Sequence, residues 1–196
     1  MENPLDYKIT ELNSLKPEKG RLLIAEPFMN DPYFKRSVVL ITGYSKEGAF
    51  GFILNKQIDL KVNDVIKDFP DFEAPIFMGG PVQSDSLFYF HTQGEHIDES
   101  IKIADNLYWS GNFNQLKKMI ENKEIFPNEI KFFLGYSGWD FDQLEDEIKE
   151  ESWIISNMHS NQIKDLNNTD LWKNTLQKMG SKFSLLSNFP EDPSLN

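Results

Sequence analysis

The first apolar blocks of this chain are short and rich in branched and aromatic side chains. Leu22-Leu23-Ile24-Ala25, Ser37-Val38-Val39-Leu40-Ile41 and Phe50-Gly51-Phe52-Ile53-Leu54 are each bounded by polar or glycine breaks. Blocks of that length and content predict strands rather than helices. Lys46-Glu47-Gly48 separates the second block from the third, a spacing that predicts a hairpin or near-hairpin. Further strands are expected at 76–78, 87–90, 101–103, 107–109, 131–134 and 153–155.

Four segments carry helical spacing instead. Val62, Val65, Ile66 and Phe69 fall at i, i+3, i+4 and i+7, with Pro70 as a stop. Phe113, Leu116 and Ile120 share a face behind Asn112, a residue type suited to the N-cap. A third helix is expected to begin at Asp140, with Gln143 completing a capping box and with Phe141, Leu144 and Ile148 on the buried face. The fourth starts near Asp170, buries Trp172, Thr175, Leu176 and Met179, and meets Gly180 as its terminator.

Strands thus come in runs, with helices interspersed irregularly, which is not the strict alternation of a doubly wound fold. The expectation is an α+β domain: a mixed, strongly curved or partly barrel-like β-sheet flanked by about four helices. Residues 1–19 read as an N-terminal arm, 20–180 as a single domain and 181–196 as a C-terminal tail.

Composition narrows the functional classes. The 196 residues hold 31 acidic and 20 basic side chains, a net charge of -11. Such a field repels nucleic-acid backbones and anionic membranes. Arg21 and Arg36 are the only arginines, a poor supply for reading guanine edges, so direct nucleic-acid binding is not expected. Cysteine is missing altogether, which removes disulfides, thiolate metal sites and thiol nucleophiles. The first residues lack the pattern of a secretory signal, and no apolar run is long enough to span a bilayer. These features place the protein in the cytoplasm, away from membranes.

Several residues invite a chemical reading. Gly135-Tyr136-Ser137-Gly138-Trp139 lies between a predicted strand and a predicted helix, the setting of a nucleophile elbow, with His159 later in the chain as a base. Trp139 stands where the elbow pattern needs glycine, so a tight glycine-rich bend is the simpler account. Gly79-Gly80-Pro81 ends a strand and is either an anion-binding nest or a turn. Arg21 and Arg36 each sit beside an apolar strand, where a guanidinium can hold an anion or pair with a nearby carboxylate. Asn55 and Lys56 close a strand, and the Asn55 amide can either bind a ligand or brace its own turn. The carboxylates between Asp140 and Glu151 spread over several faces of one helix and match no calcium loop. His91, His96 and His159 have no metal-ligand spacing, so neither a metal nor a cofactor is expected.

Taken in order, Gly20-Arg21-Leu22-Leu23-Ile24-Ala25, Asp31-Pro32-Tyr33-Phe34-Lys35-Arg36-Ser37-Val38-Val39, Gly48-Ala49-Phe50-Gly51-Phe52-Ile53-Leu54-Asn55-Lys56, Gly79-Gly80-Pro81-Val82, Gly135-Tyr136-Ser137-Gly138-Trp139 with Gln143-Leu144-Glu145, and Ser152-Trp153 resemble the AlgH/YqgE family of bacterial proteins. The resemblance spans about 20–180. It implies an α+β fold with a small barrel-like sheet wrapped by helices, and brings no catalytic residue or cofactor with it. Some members carry the label of transcriptional regulator. This chain departs from the family in having Asn55-Lys56-Gln57 where Asn-Arg-Pro is common, and Ser137 where alanine is common.

The resulting expectation is a non-catalytic domain that binds a small anionic ligand or a protein partner. Its site would gather Arg21, Arg36, Asn55, Lys56, Gly79, Gly80, Ser137, Trp139 and Gln143 at one end of the sheet. The rivals are a regulator acting through a partner and a hydrolase using Ser137.

Overall fold

The computed structural model describes residues 8–12, 14–158 and 170–190. Ten strands form one mixed sheet that does not close: β1 (Arg21–Ala25), β2 (Val38–Ser45), β3 (Gly48–Ile53), β4 (Gln57–Lys61), β5 (Pro75–Met78), β6 (Val82–His91), β7 (Ile101–Ala104), β8 (Leu107–Trp109), β9 (Ile130–Asp140) and β10 (Trp153–Asn157). The helices are α1 (Ile9–Leu12), α2 (Val62–Val65), α3 (Phe113–Glu121), α4 (Gln143–Lys149), α5 (Leu171–Lys178) and α6 (Ser181–Leu186).

Strand β9 organises the whole. Its first half lies between β5, to which it is parallel, and β6, to which it is antiparallel; its second half pairs with β3. The sheet therefore has two wings hinged on one strand. One wing runs β10-β1-β2-β3-β9 and the other runs β9-β6-β8-β7, with β5 and β4 on the second wing's far side. The wings face each other across a central core of Leu22, Ile24, Leu40, Phe52, Phe77, Phe90 and Phe133. Phe52 is its hub, with ring centroids 5.1 Å from both Phe90 and Phe133. Each such buried ring contributes about 2–3 kcal/mol through the apolar area it removes from water.

The outer faces are covered too. Leu144 of α4 packs on Leu23, Val39, Ile41 and Ile53, while Leu116 and Ile120 of α3 pack on Ile76, Ile130 and Phe132. Burial on both faces explains why β1 and β2 read as continuous apolar runs without alternation. At the end of the core beside Ala25, α5 and α6 insert Trp172, Leu176 and Phe183, and the Trp172 indole donates to the Ala25 carbonyl at 2.8 Å.

Several expectations meet the structure directly. The β2–β3 hairpin forms around Lys46 and Glu47. Asn112 caps α3, its side chain accepting from the amides of Asn114 and Gln115. Others need correction. The helix expected over Val62 to Phe69 ends at Val65, because the Asn63 amide donates to the carbonyls of Phe69 and Pro70 and accepts from Phe72, tying that segment into a loop. Asp140 belongs to β9, and α4 begins three residues beyond it, at Gln143, after Asp142 in a left-handed conformation. Half of the expected capping box survives, since Gln143 accepts from the Asp140 amide at 3.0 Å, but Phe141 is 63% exposed and leaves the buried face. Residues 181–186, expected in a tail, form α6 and bury Phe183.

Candidate functional site

The glycine-rich stretch at 135–139 is neither an elbow nor a bend before a helix: all of it lies inside β9. Its glycines are needed for a crossing of backbones. A Cβ on Gly135, whose φ is +68°, would stand 2.4 Å from the Gly80 carbonyl, and one on Gly79 would stand 2.2 Å from the Gly135 carbonyl. Here β5 ends as a wedge between β9 and β3: the Gly79 amide donates to Leu134, and its carbonyl accepts from the Ile53 amide. The Ser137 hydroxyl donates to that same carbonyl at 3.0 Å and is fully buried. A buried hydroxyl held on a backbone carbonyl is not placed to attack a substrate, and the hydrolase reading fails on that geometry. His159 lies outside the described residues. The nest reading of Gly79 fails likewise, its amide being taken by Leu134.

The other polar candidates have structural partners. Arg21 pairs with Glu18 at 2.8 Å and donates to the Lys16 carbonyl, fastening the N-terminal segment. Arg36 lies over the Trp172 ring, 4.7 Å from its centroid, and donates to the Phe189 carbonyl. Asn55 accepts from the Val38 amide and donates to the Arg36 carbonyl, both at 2.9 Å, so it braces the turn into β2. The Lys56 carbonyl accepts from Met78, joining the β4 end to β5. Trp139 is buried on the outer face, where its indole and that of Trp153 both donate to one oxygen of Glu147, at 2.9 and 2.7 Å; Gln143 donates to the other oxygen. These residues thus do not converge on one pocket. Arg36 and Asn55 meet each other, as do Gly79, Gly80 and Ser137, and Trp139 and Gln143.

A cleft does open, at the end of β2 and β3 remote from Trp172. It encloses about 690 Å³ where the central core reaches solvent between the wings. Phe50, Phe52, Phe88, Trp109 and Tyr136 line its wall. These rings pack on one another: Phe50 and Trp109 meet edge-on at 5.3 Å, and Phe88 and Tyr136 at 5.8 Å. Glu47, Gln83, Asp140 and Gln143 supply polar groups, and the exposed Gly138 leaves a gap in the wall. A second hollow of about 430 Å³, lined by Tyr44, Lys46, Phe141 and Glu145, lies across the hairpin tip and shares Ser45, Gly48, Ala49 and Asp140 with the first. The Tyr44 hydroxyl donates to Glu145, and that bond, with partial burial, pushes the phenol pKa up to about 12.

Of the residues expected at a site, Trp139 and Gln143 line this cleft. The wall itself was missed. Its aromatic residues read as ordinary strand and core positions, and no local signal marks them, because their meeting depends on the register of β3, β6, β8 and β9. Among the described residues, no group of three or more His, Asp or Glu side chains is arranged to hold a metal.

A model of the AlgH-like family matches residues 22–184. A UPF0301 protein of Parabacteroides distasonis is 43% identical over 192 residues, covering 97% of this chain and 96% of that protein. A UPF0301 protein of Cytophaga hutchinsonii is 45% identical over 179 residues, 91% of this chain and 98% of the relative. Among solved structures, a Corynebacterium diphtheriae protein superposes with a TM-score of 0.76 at 23% identity, over 92% of this chain and 97% of that one, a likeness of fold. The solution structure of AlgH from Pseudomonas aeruginosa gives 0.70 at 26% identity, over 91% of this chain and 98% of that chain.

Proposed function

The chain belongs to the AlgH-like family, and we propose that it serves as a non-catalytic binding domain whose aromatic cleft receives the apolar body of a small organic ligand. The carrying observation is the cleft of about 690 Å³ in which four half-buried aromatic side chains, Phe50, Phe88, Trp109 and Tyr136, reach solvent over the buried Phe52 beside a few polar groups. That volume and that mixture suit a small-molecule site. The mouth of a two-winged sheet also gives the rigid surround on which such sites are usually built. The hydrolase reading needs its serine hydroxyl within hydrogen-bond reach of the cleft. The hydroxyl singled out for that role, Ser137, is sealed behind the wall. With a net charge of -11, direct contact with DNA is electrostatically opposed. A regulatory role would therefore run through a bound molecule. No helix among the described residues is long and apolar enough to cross a membrane, and the cysteine-free composition suits a reducing cytoplasm.

The test uses Gly138. A Cβ there would meet only the Tyr136 ring at 3.4 Å and Val82 at 3.7 Å, ordinary contacts, so Gly138→Leu fills the cleft without disturbing the strand. A thermal-shift panel of small aromatic and aliphatic compounds is expected to give hits on the native chain. A ligand at one hundred times its Kd stabilises by about 2.7 kcal/mol, a shift of several degrees in a domain of this size. The hits should vanish in Gly138→Leu while its ligand-free melting temperature stays put. Hits that survive the substitution would put binding elsewhere and sink the reading.

A further inference from the structure

We propose that the ligand of this cleft is an organic cation, an ammonium group carried on an apolar or aromatic body. The inference rests on the cleft reading above and adds the charge. It reverses the anionic ligand that the arginines and glycine turns suggested.

The lining carries charge of one sign. Glu47 and Asp140 stand at its edge, and among the described residues that line it none is basic. Lys46, the nearest basic neighbour in sequence, lines the hollow on the other side of the hairpin tip. Both arginines are fastened elsewhere, on Glu18 and over Trp172. An anion entering the cleft would meet two carboxylates, the negative faces of the aromatic rings and the repulsion of a chain with net charge -11. A cation meets the same groups as attractions.

The wall chemistry points the same way. Aromatic faces bind ammonium groups through the ring quadrupole, most strongly for tryptophan, when the cation sits within about 6 Å of the centroid. Trp109, Tyr136 and Phe50 offer such rings together, half-buried and held by one another at 5.3 and 6.3 Å. A strongly hydrated anion gains nothing from that surface. The Glu47 carboxylate is held by the Ser45 hydroxyl, which donates to it at 2.6 Å, and the Asp140 backbone amide donates to Gln143 at 3.0 Å. The site thus combines an apolar floor, ring faces and an acidic edge, which is the complement of an amphipathic ammonium compound.

Three probes of one body separate the possibilities: benzyltrimethylammonium, neutral benzyl alcohol and anionic phenylacetate. Each is titrated into the isotopically labelled chain, following the Trp109 indole and the Tyr136 and Gly138 amides by heteronuclear NMR. The cation is expected to shift those resonances and to bind at least about tenfold tighter than the alcohol, with phenylacetate weakest. In the Glu47→Gln/Asp140→Asn double variant, both positions being exposed, the cation should weaken by about tenfold while the alcohol is unchanged. Equal binding of cation and alcohol, an unaltered cation affinity in the variant, or a preference for phenylacetate would overturn the cation assignment and leave the cleft reading standing. No response of those resonances to any probe would overturn both.

Discussion

At the residue scale, the polar side chains that looked functional are mostly fastenings. A short polar residue at a strand end has two uses, to reach out to a ligand or to satisfy its own backbone, and sequence cannot rank them because the partner is distant in the chain. Asn55 meets Val38 and Arg36 across 17 and 19 residues, and Ser137 meets Gly79 across 58. His91 is the sharpest case. It is fully buried in β6, its Nε2 bonded to the Ser110 carbonyl at 3.0 Å and its Nδ1 accepting from the Gln93 amide at 3.3 Å. Tyr108 stacks on one face and Tyr89 tilts against the ring. The neutral tautomer satisfies both nitrogens, whereas a second proton on Nδ1 would face an N–H. Burial accordingly lowers the imidazole pKa from its ordinary 6.5, although the bond to Ser110 works in the other direction. Because the folded value lies below the unfolded one, the unfolded chain takes up the proton first. The stabilisation is therefore complete above 6.5 and is lost as pH falls below it toward the folded value. Melting temperatures measured well above and well below 6.5 should fall with pH in the native chain and fall less in His91→Gln. Parallel profiles would show that His91 does not carry the dependence.

At the element scale, what was legible followed from local rules and what was not depended on strands crossing. The hairpin at Lys46 and Glu47 and the capped helix behind Asn112 are written within windows of a dozen residues, and they formed as read. The glycines at 79, 80 and 135 are legible as special, but only as a nest, a turn or a bend, since a window of sequence cannot distinguish these from a place where another backbone passes. The structure puts them where β5 wedges between β3 and β9. A methyl group at Gly135 must either move the Gly80 carbonyl, 2.4 Å away, or unseat β9 from the left-handed kink at φ +68° that lets it leave β5 for β3. Gly135→Ala should therefore destabilise by about 3 kcal/mol or more, combining left-handed strain with steric overlap. Gly138→Ala, three residues on in the same strand with only ordinary contacts, should cost less than about 1 kcal/mol. Urea unfolding of the two variants side by side decides it: equal midpoints would mean that the crossing does not hold the wings together.

At the scale of the whole molecule, the hinged sheet makes a core with two unlike ends. The end beside Glu47 and Trp109 is left open as the cleft, while the end beside Ala25 is filled by α5 and α6. Sequence periodicity marked α5 but treated everything after Gly180 as a tail. Ser181–Leu186 is short, and only Phe183 and Leu186 of it meet the central core, too little pattern to register as an amphipathic helix. Its weight lies in what it covers. Phe183 is 7% exposed beside Trp172 and Leu176, and the Phe189 carbonyl that follows receives Arg36. Ending the chain at Gly180 would uncover those side chains and take from Arg36 the Phe189 acceptor. Phe183→Ala alone should cost about 3 kcal/mol, the usual toll of deleting a buried ring, and the truncation at least as much, both read as lowered urea midpoints, with the far-ultraviolet dichroism of Phe183→Ala unchanged at zero denaturant. The truncated chain should still bind the cleft's ligand below its transition, because filled end and open end lie at opposite ends of β2 and β3. A truncated chain that unfolds at the native midpoint would remove α6 from the fold's stability. One that holds its midpoint poorly and also loses ligand would mean instead that the two ends are coupled through the Phe52 hub.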